Sequence, residues 1–290
     1  MKKFLKKFSV LALIGSLFVG ASAGIVTAEE KPFDGEKVNV GIMAGVDEDF
    51  WKEVKEKAAK DGIDVEFTLF TDYVQPNAAL NDGSIDLNAF QHVAFLDDWN
   101  KSNGADLTII GYTFVSPMGT YSEKIKNLDE LEEGATVAIP NDPTNGGRAL
   151  LALELAGVIK VDDSKGVLVT PSDVTENPKN IKIEEVEAAN LPAVVPDVDA
   201  AVINTNFAVE AGLSLKDAIF VDADYPDKLN EAYKNVIVAR KENKDNELYK
   251  QIVKYYQSDE VADLIVKLSG GDKPIWEGAP QYDNDGHRVE

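Results

Sequence analysis

NDPTNGGRALLALELAG, at residues 141–157, is the stretch from which both a fold and a site can be argued. Its opening Asn-Asp-Pro is typical of a turn, and Asn145 is placed to cap a helix. Leucines then recur at helical spacing until Gly157, a residue type that commonly ends helices. The stretch therefore predicts a turn followed by an amphipathic helix.

The start of this helix predicts a site for a small anion. Arg148 would fall in the first turn, where Gly146 and Gly147 leave the backbone N–H groups uncovered. A guanidinium and helix-terminal N–H groups that point to one place suit a carboxylate or a phosphate. Arg148 could instead pair with Asp142 or Glu154 on the surface, which is an ordinary use of an arginine in a helix.

Around this stretch, segments with the alternation of strands follow one another with helical segments between them. The sequence-predicted strands are 38–42, 65–69, 85–92, 107–115, 136–139, 181–186, 200–203, 218–221 and 236–239, and the predicted closing helices are 247–257 and 260–268. This rhythm predicts an α/β protein with parallel sheets, whose ligands sit at the carboxyl edge of the strands. A chain of 290 residues is long enough for two lobes.

The first 28 residues have the features of an export signal. Four lysines, at positions 2, 3, 6 and 7, precede an apolar run at 10–19 that is too short to span a bilayer, and small residues lead up to Ala28. We expect cleavage after Ala28 and a mature protein at the cell surface or in the periplasm. Removing four lysines and no acids takes the formal charge from −22 to −26. Such a surface argues against nucleic acid as a partner.

The residue types that carry most enzyme and metal chemistry are scarce. The chain has no cysteine, which excludes a disulfide, a thiolate nucleophile and a lipid-modified cysteine. It has no G-x-S-x-G, phosphate-loop or H-E-x-x-H motif, and its two histidines are His92 and His287. We therefore expect no catalysis, no cofactor and no metal.

Four residues predict a pocket for a small zwitterion with an apolar side chain. His92 and Phe90 lie at the end of a predicted strand, Tyr73 lies in a loop, and Arg148 begins a helix. Aromatic walls, one imidazole and one guanidinium are suited to such a ligand. Taken singly, each residue has a structural explanation: a hydrogen-bonded core histidine, aromatic packing, or a surface ion pair.

Six stretches together resemble the NlpA/MetQ-type substrate-binding proteins of methionine ABC transporters. They are YVQPNAAL (73–80), DLNAFQH (86–92), PMGTYSEKIKNLDEL (117–131), VAIPNDPTNGGRALLALELAGVI (137–159), DAAVINTNFA (199–208) and NVIVAR (235–240). The resemblance spans nearly all of the predicted mature chain. It implies a two-lobed periplasmic-binding-protein fold of type II, with a hinge and a ligand cleft between the lobes.

The resemblance also implies a role for individual residues. Arg148 would hold the methionine carboxylate, and Asn206 and Asn235 would bind its amino or carboxylate group. The residues implied around the thioether chain are Tyr73, Phe90 and His92. Phe95 stands where methionine binders often have tyrosine, so the pocket wall would lack that hydroxyl. Where members usually carry a lipidated cysteine, this chain has Gly-Ala-Ser at 20–22, so no such anchor is expected.

The resemblance divides the chain as follows: a signal peptide at 1–28, a linker at 29–36, a first lobe at 37–115 and 226–276, a second lobe at 116–225, and a disordered tail at 277–290. The implied function is a receptor that delivers methionine to a membrane permease and its ATPase. Two alternatives stay open at this stage: a receptor for a methionine-containing dipeptide or another small amino acid, and a surface interaction or adhesion protein.

Overall fold

The structure of the protein is a computed structural model that describes residues 31–224, 231–283 and 286–289. The predicted signal peptide lies outside the described residues. Residues 33–290 form one compact unit. Among the described residues, no helix has both the length and the apolar character needed to cross a membrane.

The order of the elements follows the predicted alternation of strands and helices. The strands are β1 (Lys37–Met43), β2 (Asp64–Phe70), β3 (Leu87–His92), β4 (Thr108–Val115), β5 (Met118–Tyr121), β6 (Thr136–Pro140), β7 (Lys160–Val161), β8 (Val174–Glu176), β9 (Lys182–Val186), β10 (Ala200–Asn204), β11 (Phe220–Val221), β12 (Lys234–Ala239), β13 (Lys273–Pro274), β14 (Gln281–Tyr282) and β15 (Arg288–Val289). The α-helices are α1 (Val46–Lys60), α2 (Gln75–Asp82), α3 (Val93–Asn103), α4 (Pro143–Leu155), α5 (Leu191–Val194), α6 (Thr205–Glu210), α7 (Glu247–Tyr256) and α8 (Asp259–Leu268).

Two sheets organise these elements. The first has the strand order β13-β4-β12-β3-β1-β2, and the second has the order β11-β5-β10-β6-β9. The prediction of parallel sheets is only partly right, because each sheet is mixed. In the first sheet β1 pairs in parallel with β2 and β3, whereas β12 pairs antiparallel with β3 and β4.

The mixed pairing has a simple cause in the path of the chain. The chain leaves the first sheet after β4 and comes back to it as β12, which begins where β4 ends: Lys234 pairs with Val115. A strand that starts at the carboxyl edge of its neighbours must run antiparallel to them. Both crossings between the sheets therefore lie at the same edge, which is the edge where ligands bind in α/β proteins.

The buried face of each helix follows from the spacing of its apolar residues. In α1, Phe50, Val54 and Ala58 recur at intervals of four and are all buried. Pro76 lies in the first turn of α2, where its missing N–H costs nothing. In α7, the side chain of Asn246 caps the helix by accepting hydrogen bonds from Leu248 N and Tyr249 N.

The carboxyl-terminal residues differ from the prediction of a disordered tail. β14 and β15 pair antiparallel, and Tyr282 Oη donates a hydrogen bond of 2.6 Å to Asp263 on α8. Arg288 adds an ion pair of 2.8 Å with Asp259 on the same helix. A composition rich in Gly and Asp suggested disorder, but it also suits the tight turn of a hairpin. Within the predicted linker, Gly35 N donates a hydrogen bond to the carbonyl of Gly62.

Candidate functional site

The carboxyl ends of the parallel strands in both sheets meet around one cavity. About 750 Å³ there is free of protein atoms, including open solvent at its mouth. All seven residues predicted for the site line this cavity: Tyr73, Phe90, His92, Phe95, Arg148, Asn206 and Asn235. The topology brings them together, because they lie at the end of β3 or just after it, follow β2, β6 and β10, or begin β12. Their role in ligand binding stays a prediction.

Arg148 is buried and forms its ion pair inside the protein, which excludes the surface alternative. Its Nε donates to Asp222 Oδ2 at 2.7 Å, and its Nη2 donates to the carbonyl of Ser116 at 2.8 Å. The guanidinium carbon lies 4.5 Å from the centre of the Tyr233 ring. The remaining guanidinium N–H groups have no partner among residues 31–224, 231–283 and 286–289. This edge of Arg148, on a residue that lines the cavity, is suited to a carboxylate.

The helix that carries Arg148 begins earlier than the sequence predicts. Its cap is Asp142, whose carboxylate accepts a hydrogen bond of 2.9 Å from Asn145 N, and not Asn145 itself. Since α4 starts at Pro143, Arg148 lies in the second turn. The N–H of Gly146 is used within the helix, where it donates to the carbonyl of Asp142. The prediction of uncovered N–H groups was therefore wrong.

Close packing explains the glycines instead. A Cβ atom at Gly147 would lie 2.2 Å from the carbonyl oxygen of Val167, and one at Gly146 would lie 2.7 Å from that of Pro140. Both contacts are with backbone atoms, which cannot rotate away. The absence of side chains lets α4 approach these carbonyls and so sets the position of Arg148.

Both ring nitrogens of His92 are occupied by partners in the protein. Nδ1 accepts a hydrogen bond of 3.1 Å from Phe95 N as the cap of α3, so the proton is on Nε2, which lies 3.3 Å from Asn145 Oδ1. Burial, with the charge of Arg148 as the second cause, lowers the pKa of His92 to about 3. His92 is a neutral part of the wall, and its contact with a ligand would be through the ring.

Aromatic rings form one side of the cavity. Tyr73 lies 6.0 Å from Phe90, 6.1 Å from Phe95 and 4.8 Å from Phe207, measured between ring centroids. The Tyr73 hydroxyl donates a hydrogen bond of 2.6 Å to Asn206 Oδ1 and so joins a loop of the first sheet to a helix of the second. With its oxygen occupied, Asn206 has its amide N–H groups left to donate, which favours a carboxylate over an ammonium as its partner.

A buried amide network supports this wall from behind. Asn77 and Gln91 exchange two hydrogen bonds, of 2.7 and 2.6 Å, and Asn88 Nδ2 donates to Asn77 Oδ1 at 2.9 Å. All three side chains are buried. The network joins α2 to β3 and fixes the strand that ends at Phe90 and His92. It gives a structural reason for the amides in YVQPNAAL and DLNAFQH.

Several residues of the cavity region were missed by the sequence analysis. The two carboxylates in the wall are Asp47 in α1 and Asp272 before β13, and Asn204 lies at the end of β10. Asp222 pairs with Arg148 across 74 residues of sequence. A carboxylate next to a strand end is a weak signal in a chain with 51 acids. One usable signal was present: Asn204 opens the NTN triplet after a buried strand.

Known proteins are similar to this chain over most of its length. The D-methionine-binding lipoprotein MetQ of Escherichia coli K12 is 47% identical over 271 residues, which cover 91% of this chain and 97% of that protein. A nutrient-binding protein from Burkholderia cenocepacia, solved bound to methionine, matches with a TM-score of 0.77 and 44% identity over 82% of this chain and 99% of that one. The substrate-binding protein of a methionine transporter from Streptococcus pneumoniae matches with a TM-score of 0.78 and 38% identity over 83% of this chain and 96% of that one.

These matches confirm the predicted fold class, a two-lobed α/β periplasmic-binding-protein fold with a cleft between the lobes. The predicted family is confirmed as well. A family model described as NlpA lipoprotein matches residues 38–276, which include both sheets and every residue of the cavity. The chain belongs to the NlpA lipoprotein family.

Proposed function

We propose that this protein is an extracytoplasmic solute receptor of an ABC importer, which binds methionine in the cavity and delivers it to a membrane permease and its ATPase. One observation supports this above all: the cavity places the unpaired edge of a buried guanidinium together with a wall of aromatic rings. The printed descriptions of the relatives as methionine-binding proteins, and the basic and then apolar start of the chain, agree with it.

In the proposed complex, the polar and the apolar parts of the ligand contact different walls of the cavity. Arg148 donates to the carboxylate, and Asn206 adds an amide N–H to it, because its oxygen is held by Tyr73. The thioether chain lies against Tyr73, Phe90 and Phe95, since sulfur packs favourably against aromatic rings. Asn235, opposite His92 in the sheet, lies at the polar end of the cavity and contacts the amino or carboxylate group.

Binding is coupled to closure of the two lobes. We place the first lobe at 37–115 and 226–276 and the second at 116–225. Tyr73 and Phe90 belong to the first lobe, whereas Arg148 and Asn206 belong to the second. A ligand that contacts both lobes favours the closed state by its differential affinity for that state. No bond is made or broken in such a cycle, so the function requires no catalytic group.

The first test is thermal unfolding of the mature protein after denaturation and refolding have removed any ligand carried from the host. L-Methionine at about a hundred times its dissociation constant adds about 2.7 kcal/mol to the free energy of unfolding, which raises the melting temperature. A rise with L-methionine that L-glutamate does not produce supports the proposal. No rise with L-methionine, D-methionine or Gly-Met would contradict it.

A further inference from the structure

The cavity has a second charged region that the arrangement above does not use. Asp272 is 6% exposed and lies in the cavity wall just before β13. Its Oδ1 accepts a hydrogen bond from the Ser116 hydroxyl. Its Oδ2 has no partner in the parts of the chain that the structure describes. This buried, half-satisfied carboxylate therefore has an oxygen left for something that enters the cavity.

Asp47 is the other carboxylate of the same wall. It lies in the first turn of α1, keeps part of its surface accessible, and raises the pKa of Asp272 through its charge. Burial raises the pKa of Asp47 to about 7 and, as the main cause, that of Asp272 to about 8. We call Asp47, Asp272 and Ser116 the acidic end of the cavity.

The guanidinium of Arg148 forms its ion pair with Asp222 and not with Asp47 or Asp272. Arg148 lowers the pKa of Asp272, but its Nε is paired with Asp222 at 2.7 Å. Burying a carboxylate without a counter-ion is costly, which is why both groups hold their protons to unusually high pH. A cation bound at the acidic end would remove that cost.

We propose that Asp272 and Asp47 form the subsite for a primary ammonium group of the ligand. This ammonium is either the α-ammonium of a free amino acid or the N-terminal ammonium of a short peptide. The inference rests on the proposed function and adds to it a requirement that the ligand carry a free amine. A metal ion fits less well, because among the described residues no group of three or more His, Cys, Asp or Glu side chains could hold one.

The subsite couples binding to a proton. A protonated carboxyl at the acidic end gives its proton to solvent when the ammonium arrives, and the resulting carboxylate pairs with the ammonium. The ligand keeps its own protons, so one proton is released for each carboxyl that ionises. The other titratable or charged groups that interact with these carboxyls are Arg148, which acts on Asp272, and Tyr73 and Tyr256, which both interact with Asp47 and Asp272.

The test is titration calorimetry on the mature protein at pH 7, in two buffers of different ionisation enthalpy. The variants are Asp272→Asn, which can still accept the bond from Ser116, and Asp47→Asn, with the exposed Asp245→Asn as the matched control. The ligands are L-methionine, N-acetyl-L-methionine, which lacks the ammonium, and Gly-Met, in which the ammonium is one residue further from the carboxylate.

We expect wild-type protein and Asp245→Asn to bind one of the amines and to release protons, and to bind N-acetyl-L-methionine at least a hundredfold more weakly. Asp272→Asn should weaken binding of the amine at least tenfold and reduce the proton release. The same variant should change the weak binding of N-acetyl-L-methionine less than threefold, because the lost partner is the ammonium. Whichever amine responds, L-methionine or Gly-Met, identifies the source of the ammonium.

Two results would overturn the inference, and they can be told apart. If the wild type binds an amine and both Asn variants bind it equally well, the subsite is wrong while the receptor stands. If the wild type binds none of the three ligands, both the proposed function and the subsite are wrong. If Asp272→Asn does not fold, two measurements still test the subsite. They are the affinity of Asp47→Asn for the amine and the wild-type affinities for L-methionine and N-acetyl-L-methionine.

Discussion

Arg148 and Asp222 form a buried ion pair, 2.7 Å from Nε to Oδ2, although 74 residues separate them in sequence. Asp222 uses its second oxygen to accept a hydrogen bond from Met118 N at 2.8 Å. The pair therefore fixes the guanidinium by its Nε side and leaves the opposite side for a ligand. A positioned arginine of this kind binds a carboxylate with little loss of side-chain entropy.

Arg148→Ala should weaken methionine binding by about 2–5 kcal/mol, because truncating one partner of a buried charge pair leaves the other partners without a cation. Titration calorimetry measures the loss. Arg148→Lys keeps the charge but not the planar fork, so it should fold more readily and bind with intermediate affinity. Wild-type affinity in either variant would remove Arg148 from the site.

Tyr73→Phe should weaken binding by about 0.5–1.5 kcal/mol, since it removes one neutral hydrogen bond while the ring contacts with Phe90 and Phe207 remain. The bond to Asn206 joins a loop of the first sheet to a helix of the second, so the loss should appear mainly as faster ligand release. Stopped-flow fluorescence measures that rate. Tyr112→Phe is the control, because Tyr112 is 42% exposed. Equal release rates in the two variants would contradict a role for this bond in closure.

His92 should make the protein less stable in acid. Its folded-state pKa of about 3 lies below the ordinary value of 6.5, so the unfolded chain binds more protons between these values. Stability is therefore lost as the pH falls from about 6.5 towards 3, by at most about 1.4 kcal/mol per pH unit for one group. Urea unfolding across this range measures the slope.

The matched pair for this prediction is His92→Asn and His287→Asn. Asparagine is a good helix cap, so the first variant retains the cap of α3 and should have a shallower slope. The side chain of His287 is 79% exposed, and its replacement should leave the slope unchanged. An identical slope in wild type and His92→Asn would show that His92 is not the group responsible.

Gly147→Ala should destabilise the protein by about 1–3 kcal/mol, because the added methyl meets the Val167 carbonyl and forces α4 to move. The shift should also lower ligand affinity, since Arg148 is carried by the same helix. Chemical denaturation and calorimetry measure the two effects. An unchanged denaturation midpoint would mean that the loop around Val167 moves aside with little loss of stability.

Local sequence patterns predicted most of the long helices and strands, but they could not predict which strands pair or in which direction. Helices α7 and α8 were predicted because apolar spacing determines which face is buried. β5 was missed because it is a strand of four residues, Met118–Tyr121, that contains a glycine. The antiparallel return of β12 was missed because direction is set by the path of the whole chain.

Part of the cavity lining was predictable from the sequence. The resemblance placed Arg148 and Tyr73 in the cavity, as the structure does. It did not identify Asp272, whose position depends on a contact with Ser116 across 156 residues. The explanation of the double glycine was wrong for a related reason: nothing local indicates that a distant carbonyl, that of Val167, will lie where a side chain would be.

The short link from β4 to β5, Ser116 and Pro117, accepts hydrogen bonds from side chains of the other sheet's helices, and one of them is Arg148 of the cavity. The carbonyl of Ser116 accepts a hydrogen bond from Arg148, and that of Pro117 accepts one of 2.6 Å from Thr205. One guanidinium therefore both lines the cavity and contacts the link between the two sheets. Because the sequence has no cysteine, two thiols introduced on the outer faces of the sheets would be the only ones to react with dyes. Energy transfer between those dyes would make the protein an optical sensor for its own ligand.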